Sequence, residues 1–280
     1  MPSNSLIVNS ISEYNQAEVM IHRASQYLSL TGDTLVPHEP DDSHTTAMYN
    51  GDTGLLMGRR WTVENQSYQL GLDIERFSLV LVNERGDNEH LLPLDGKSSN
   101  EIKESWINLL GKVGYQGDII STLHYDLPES EAYQSDTLIK PTKEVLKNWM
   151  EIRSLANQAM EGLLLNSDQI SEINIWPHHF DTGIYLELHQ SNGETDRSVG
   201  AGLAVADSMI PGPYFYIYGW NKDKEIDYST APALESGRWQ INSWKGAVLA
   251  VDEISTVHAA TVLSNFFKTT YTFFANALLP

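Results

Sequence analysis

The sequence predicts an α+β fold in which mainly antiparallel sheets pack against helices, in two lobes. Three observations carry this. Short runs of alternating apolar and polar residues are joined by Gly, Asn, Asp and Pro, as in antiparallel hairpins. Each group of runs is flanked by segments whose apolar residues recur at helical spacing. The stretch "PESEAYQSDTLIKPT" is polar, contains two prolines and separates the two groups. The expected organisation is an N-terminal lobe over 1–128, a linker over 129–142 and a C-terminal lobe over 143–280. Both halves read helix, strands, helix, an order that suits a pseudo-repeat, although no residue-level repeat accompanies it.

In the first half, "SISEYNQAEVMIHRASQYLSLTG" predicts a helix. Ser10 and Glu13 have capping-box spacing, Ala17, Met20/Ile21, Ala24 and Leu28 form a stripe, and Gly32 is the expected stop. "DTLVPHEPDDSHTTAMYNGDTG" reads as a loop. "SYQLGLDI" alternates, with Tyr68, Leu70, Leu72 and Ile74 on one side. "RFSLVLV" and "EHLLPL" bracket the turn "NERGDN". "SSNEIKESWINLLGKVG" predicts a helix that turns Ile102, Trp106, Leu109 and Leu110 inward, and "DIISTLHYDL" a returning strand.

In the second half, a long helix begins after Thr142 with Val145, Trp149, Ile152, Ala156, Ala159 and Leu163 as its buried stripe. Strands are expected around 172–176, 181–190, 197–206 and 213–220. Asn192-Gly193 is a strong hairpin signal between the second and third. "KDKEIDYSTAPALESG" reads as a loop and "NSWKGAVLAV" as a strand. A last helix follows from Asp252, with Ile254, Val257, Thr261, Ser264, Phe267, Tyr271, Phe274 and Leu278 near one face and Leu263, Phe266 and Phe273 widening the apolar side.

The net charge is −19. Such a surface repels phosphate backbones and anionic membranes, so neither nucleic acid nor membrane is an expected partner. The chain has no cysteine, which excludes disulfides, thiolate nucleophiles, Cys-ligated zinc and iron–sulfur clusters. The start "MPSNSLIVNSISEYNQ" does not read as a secretory signal, and a cytoplasmic location is expected.

Several stretches together resemble an uncharacterised bacterial protein family. They are "YQLGLDIERFSLVLVNERGDNEHLLPLDGKSSNEIKESWINLLGKVG", "WPHHFDTG" with its Phe-Asp ending, "PGPYFYIYGW" after a Pro-Gly turn, and "WKGAVLAVDEI" leading to "FFKTTYTFFANAL". The resemblance covers about residues 60–280 in the same order. "PHEPDDSHTT" matches poorly, and "SVGAGLAVAD" departs from a His-Glu-containing segment of many relatives. The resemblance implies common architecture and supplies no reaction.

The candidate site lies in the second half. Taken as one extended strand, 178–190 puts His178, Phe180, Thr182, Ile184, Leu186 and Leu188 on one face. His179, Asp181, Gly183, Tyr185, Glu187 and His189 fall on the other. His179 and Asp181 share a side and are candidates for acid–base catalysis, since a carboxylate can orient an imidazole that titrates near neutrality. His178 and His179 point to opposite faces of a regular strand, and only a bulge or a turn at Pro177 brings them together. The next strand adds Ser198, Gly200, Gly202 and Ala204 as a low floor. The one after adds Tyr214, Tyr216 and Tyr218 as a wall. Tyr185, Glu187, His189, Tyr214, Tyr216 and Tyr218 are the expected ligand-binding residues. The same pattern also describes a solvated antiparallel face.

His178, His179 and Asp181 are candidate ligands for a divalent metal, although strand spacing does not gather them around one ion. His38, Glu39, Asp41, Asp42 and His44 have cation-binding types, but in the order of no calcium loop, and read as a solvated acidic loop. No Walker or dinucleotide fingerprint and no nucleophile elbow is present. Trp106 and Trp149 read as core, and His258 as structural. Three functions stand open: a protein that binds a small molecule of unspecified identity, a hydrolase or lyase using His179 and Asp181, and a homo-oligomeric or partner-binding protein.

Overall fold

The structure is a computed structural model. It describes residues 5–7, 10–128, 131–167, 169–242 and 244–278. Residues 129–130 of the expected linker, Ser243 in the expected last strand and Leu279 of the expected last helix lie outside these. The chain is α+β, with antiparallel sheets and helices. It divides into two compact units. One comprises Ser12–Glu151 and Asn174–Phe180; the other comprises Met1–Ile11, Ile152–Ile173 and Asp181–Pro280.

The unit built on Ser12–Glu151 starts with α1 (Ile11–Leu35). This helix passes Gly32, the expected stop. A Cβ at Gly32 would stand 2.2 Å from the carbonyl oxygen of His44. The glycine therefore serves a close backbone approach and does not end the helix. After a 3-10 turn at Ser43–Thr45 come β1 (Met48–Asn50), β2 (Leu55–Val63), β3 (Gln66–Asp73), β4 (Ser78–Asn83) and β5 (Asn88–Pro93). They form one five-stranded antiparallel sheet in chain order.

β1 and β2 were not expected. β1 lies inside the stretch read as a loop, and β2 follows it through Asn50–Gly54, where Asn50 Oδ1 accepts from the amides of Asp52 (3.0 Å) and Thr53 (3.1 Å). Tyr68, Leu70, Leu72 and Ile74 are buried, as their alternation implies. The turn after β4 forms as expected: Asn83 Oδ1 accepts from the amides of Arg85 and Asp87, and Gly86 is left-handed.

β6 (Lys97–Ser98) leads into α2 (Ser99–Lys112). Ser98 and Glu101 make a complete capping box, and Ile102, Trp106, Leu109 and Leu110 are buried. The expected strand at 118–127 does not form. The segment is held instead by side chains of α1. Ile120 N–H donates to Thr34 Oγ1, and the hydroxyl of Tyr125 bonds Gln26 Oε1 and Ser29 Oγ.

α3 (Glu131–Gln134) and β7 (Thr137–Leu138) occupy the expected linker, and β7 pairs with β6. That segment is thus part of this unit, and the division falls inside α4 (Lys143–Ser167), between Glu151 and Ile152. β8 (Asn174–Ile175) joins the same unit through a bridge from Ile175 to Ala47.

The other unit contains β9 (Thr182–Ser191), β10 (Glu194–Ala204), β11 (Tyr214–Asn221), β12 (Arg238–Gln240), β13 (Gly246–Ala250) and α5 (Ala259–Leu278). Its antiparallel sheet runs β12–β13–β11–β10–β9. The last two strands exchange places relative to chain order, so this connectivity does not copy the first sheet. Asn192 and Gly193 both have left-handed backbones, the conformation a two-residue hairpin turn requires.

The last helix begins later than expected. Val251–Glu253 and Thr256–His258 are 3-10 turns, held where Leu6 N–H bonds the carbonyl of Ile254 and Ser5 bridges to Ser255. Its buried stripe is Leu263, Phe266, Phe267, Thr270, Phe273, Phe274 and Leu278, while Val257 is 70% exposed. Leu263, Phe266, Phe267, Phe273, Phe274 and Leu278 are buried as expected, and Thr270 is buried with them. Among the described residues, no helix is long and apolar enough to cross a membrane.

Candidate functional site: an aromatic sheet face

From Thr182 onward the alternation holds. Thr182, Ile184 and Leu186 are buried. Thr182 Oγ1 accepts from Arg153 Nη1 at 2.7 Å, on the side where α4 lies. The opposite face is fixed by register. Gly183 pairs with Gly202, which pairs with Tyr216, which pairs with Val248. In the next row Tyr185 pairs with Gly200 and Gly200 with Tyr218. Directly opposed residues in an antiparallel sheet share a face. The glycine floor and the tyrosines therefore lie together.

The tyrosines lean back over that floor. A Cβ at Gly200 would stand 2.4 Å from the Tyr218 ring, and one at Gly202 would stand 2.9 Å from the Tyr216 hydroxyl. Tyr216 donates to Asp181 Oδ2 at 2.6 Å. Burial, then the Asp181 carboxylate, push the Tyr216 hydroxyl well above the ordinary phenol range. Burial does the same to Tyr218, with Tyr185 and Asp181 adding to it. The raised values favour the protonated phenol in both, and Tyr216 is a donor.

Trp244 completes the group. Its ring stands edge-on to Tyr216 at 6.4 Å and to Tyr218 at 6.1 Å, and it folds across Gly246, where a Cβ would meet it at 2.4 Å. Sequence reasoning placed Trp244 in the expected strand "NSWKGAVLAV" but not in the site; it shares the parity of Gly246 and Val248, two residues before β13 begins. The Trp-Lys-Gly spacing was the available signal. Tyr185 and Trp220 are exposed at 46% and 42%.

The other expected residues divide. Tyr214 is buried in an apolar cluster with Ile210, Val248 and Ala250, and donates to Asp207 Oδ2 at 2.8 Å. Burial and that carboxylate raise it as well. Glu187 accepts from Thr195 and Gln190, and His189 Nδ1 lies 2.7 Å from Asp196 Oδ1. These contacts brace the hairpin end, where the β9–β10 register shifts at Arg197.

His178, His179 and Phe180 are not part of the strand, which corrects the extended reading of 178–190. Pro177–His179 form a turn, Phe180 N–H bonds the carbonyl of Trp176, and Phe180 is left-handed. Pro177 is the reason. Its carbonyl accepts from His22 Nε2 at 2.7 Å and from Gln26 Nε2 at 3.0 Å, so α1 pins the turn. Phe180 is driven into that unit's core, stacked on His22 and Trp149.

The turn brings the two imidazoles together with ring centroids 4.4 Å apart, the exception that the strand argument allowed. They therefore belong with the Asn174–Phe180 segment of one unit, whereas Asp181 belongs to the other. The Tyr125 ring lies edge-on to His178 at 6.0 Å and to its neighbour His124 at 5.0 Å. Comparison with protein-family models, curated proteins and solved structures gives no match.

Proposed function

We propose that this chain binds a polar small molecule on the aromatic sheet face, with Tyr218, Tyr185 and Trp244 stacking against it and Asp181 fixing its orientation. The observation that carries this is the Tyr216–Asp181 bond over a glycine floor, beside phenols whose hydroxyls make no hydrogen bond among the described residues. Among the described residues, the hydroxyls of Tyr185 and Tyr218 make no protein hydrogen bond, and the buried Ser198 Oγ on the same face is also unpaired. Such hydroxyls suit a ligand that brings acceptors. Rigid rings beside a few placed polar groups are the usual composition of a binding surface.

The carboxylate and the net charge of −19 favour a neutral or cationic ligand over a polyanion.

The test is a thermal-shift and native mass-spectrometry panel of monosaccharides, nucleosides and aromatic amines. The expected result is a bound compound whose shift is lost in both Tyr218→Ala and Asp181→Asn. A compound that binds equally well to both variants would place the ligand elsewhere.

A further inference from the structure

We infer that the loop following α1 is a binding site for a divalent first-row transition metal of the zinc or cobalt kind. The site is built from His38, Asp42 and His44, with His124 and Asp33 beside them. It lies wholly within the unit built on Ser12–Glu151 and is independent of the aromatic face.

The donor atoms converge. One atom each from His38, Asp42 and His44 lies within 4.8 Å of the other two. His38 Nε2 stands 3.9 Å from Asp42 Oδ1, and His124 Nε2 stands 3.5 Å from Asp42 Oδ2. The Asp33 carboxylate lies between two rings, 3.5 Å from His44 Nε2 and 3.4 Å from His124 Nδ1. These residues come from α1, the loop after it and a segment about eighty residues later.

The distances decide between a hydrogen-bonded network and a coordination site. Charge-assisted N–H···O bonds run about 2.7–2.9 Å. The same molecule makes such a bond between His189 and Asp196 at 2.7 Å. All four His–Asp pairs of the cluster are longer, between 3.4 and 3.9 Å. Ligands about 2.0–2.2 Å from a tetrahedral metal are about 3.3–3.6 Å from one another. Three of the pairs, at 3.4–3.5 Å, fall in that range and His38–Asp42 at 3.9 Å lies above it; all four are longer than a strong hydrogen bond.

Charge points the same way. Two carboxylates face three imidazoles, and among the described residues no Lys or Arg forms an ion pair with Asp33 or Asp42. The cluster presents an imidazole-plus-carboxylate donor set. That set suits zinc, cobalt or nickel better than calcium or magnesium.

Hydrogen bonds to its backbone hold the Asp41–Thr45 part of the loop. The Asp42 carbonyl accepts from Thr45 N and Oγ1, Asp41 Oδ1 from Ser43 N, and the Ser43 carbonyl from Arg59 Nε. Gly32 admits the His44 backbone against α1. The His44 side chain is fully buried, while His38 and Asp42 open to solvent at 72% and 49%. This combination leaves coordination positions for water or a substrate.

One local change is required. The Glu39 amide donates to His44 Nδ1 at 3.2 Å, which puts the neutral ring's proton on Nε2. Ligation at Nε2 moves that proton to Nδ1, and the Glu39 amide turns away.

The experiment titrates chelator-treated full-length protein with Co2+ and follows its visible ligand-field absorption, with Zn2+ as competitor. The expected result is one equivalent of Co2+, displaced by Zn2+, with affinity reduced about tenfold or more in His38→Ala and in Asp42→Asn. His189→Ala, which removes the other His–Asp pair, should bind as the wild type does. His38 is exposed, so its variant folds, which an unchanged thermal melt without metal verifies. Absence of saturable Co2+ binding, or affinity unchanged in both loop variants, overturns the inference.

Discussion

Strands β4 and β11 are both interior strands of antiparallel sheets, and they bury themselves differently. In β4 every residue from Ser78 to Val82 is buried, on both faces. In β11 Phe215 and Ile217 are fully buried, whereas Tyr216 and Tyr218 are half-buried and Trp220 is 42% exposed. Backbone pairing is equivalent, with a partner on each side. The side chains differ: "SLVLV" is almost continuously apolar, and "YFYIYGW" alternates a core residue with an amphipathic ring. A strand with two apolar faces is covered on both sides, whereas the mixed strand keeps one face partly open to solvent.

The largest expected effect tests this contrast directly. Leu81→Ala should cost about 2–5 kcal/mol and Val80→Ala about 1.5–3 kcal/mol, because both faces of β4 are core. Phe215→Ala should cost about 3–5 kcal/mol, and Tyr218→Ala clearly less, since its ring is partly in water. Urea unfolding of the four variants checks this. Equal losses at Phe215 and Tyr218 would mean that the aromatic face is core too.

A smaller effect separates the two floor glycines. A Cβ at Gly202 would stand 2.0 Å from the Thr182 carbonyl oxygen, a backbone atom with nowhere to go. Gly202→Ala should therefore destabilise by about 1–3 kcal/mol. At Gly200 the obstacle is the Tyr218 ring, a side chain that can swing out. Gly200→Ala should nearly preserve the melting temperature while changing the near-ultraviolet circular dichroism of the aromatic group. Similar melting temperatures for the two alanine variants would break the distinction.

The smallest effect is at alkaline pH. Burial raises Tyr214, Tyr216 and Tyr218 above the ordinary phenol value of 10.0. The unfolded chain therefore loses these protons first as pH rises. Between the unfolded and folded values the native state binds more protons, so stability falls with rising pH. Stability from this source is complete below pH 10 and declines above it. Tyr216→Phe should flatten that decline in melts recorded across the range; an unchanged slope would remove Tyr216 from the account.

Much of the aromatic face was legible because its signals are local. Period-two alternation set the facing of Tyr185, Tyr216 and Tyr218, and Asn192-Gly193 set the hairpin that registers Tyr185 against Gly200. Asp181 was legible as a polar residue on that face, but its bond to Tyr216 depends on the reach of a side chain two strands away. Glu187 and His189 fit the alternation equally well, yet the register shift at Arg197 gives them partners in the hairpin.

The sequence by itself determined the α+β class, the β3 and β9–β11 facings, and α2 with its Ser98–Glu101 capping box. Each depends on residues a few positions apart, where backbone periodicity and capping geometry act directly. Only the tertiary structure decided that α1 runs past Gly32, that 118–127 lies along α1 without forming a strand, and that Pro177–His179 turn. In each case a group distant in sequence supplies the partner: the His44 backbone, Thr34 with Gln26 and Ser29, and His22 with Gln26. The same holds for Asp33, His38, Asp42, His44 and His124. Their residue types were visible in the sequence, but their convergence requires the folded path of the chain, because no local periodicity brings position 124 beside positions 33 and 42.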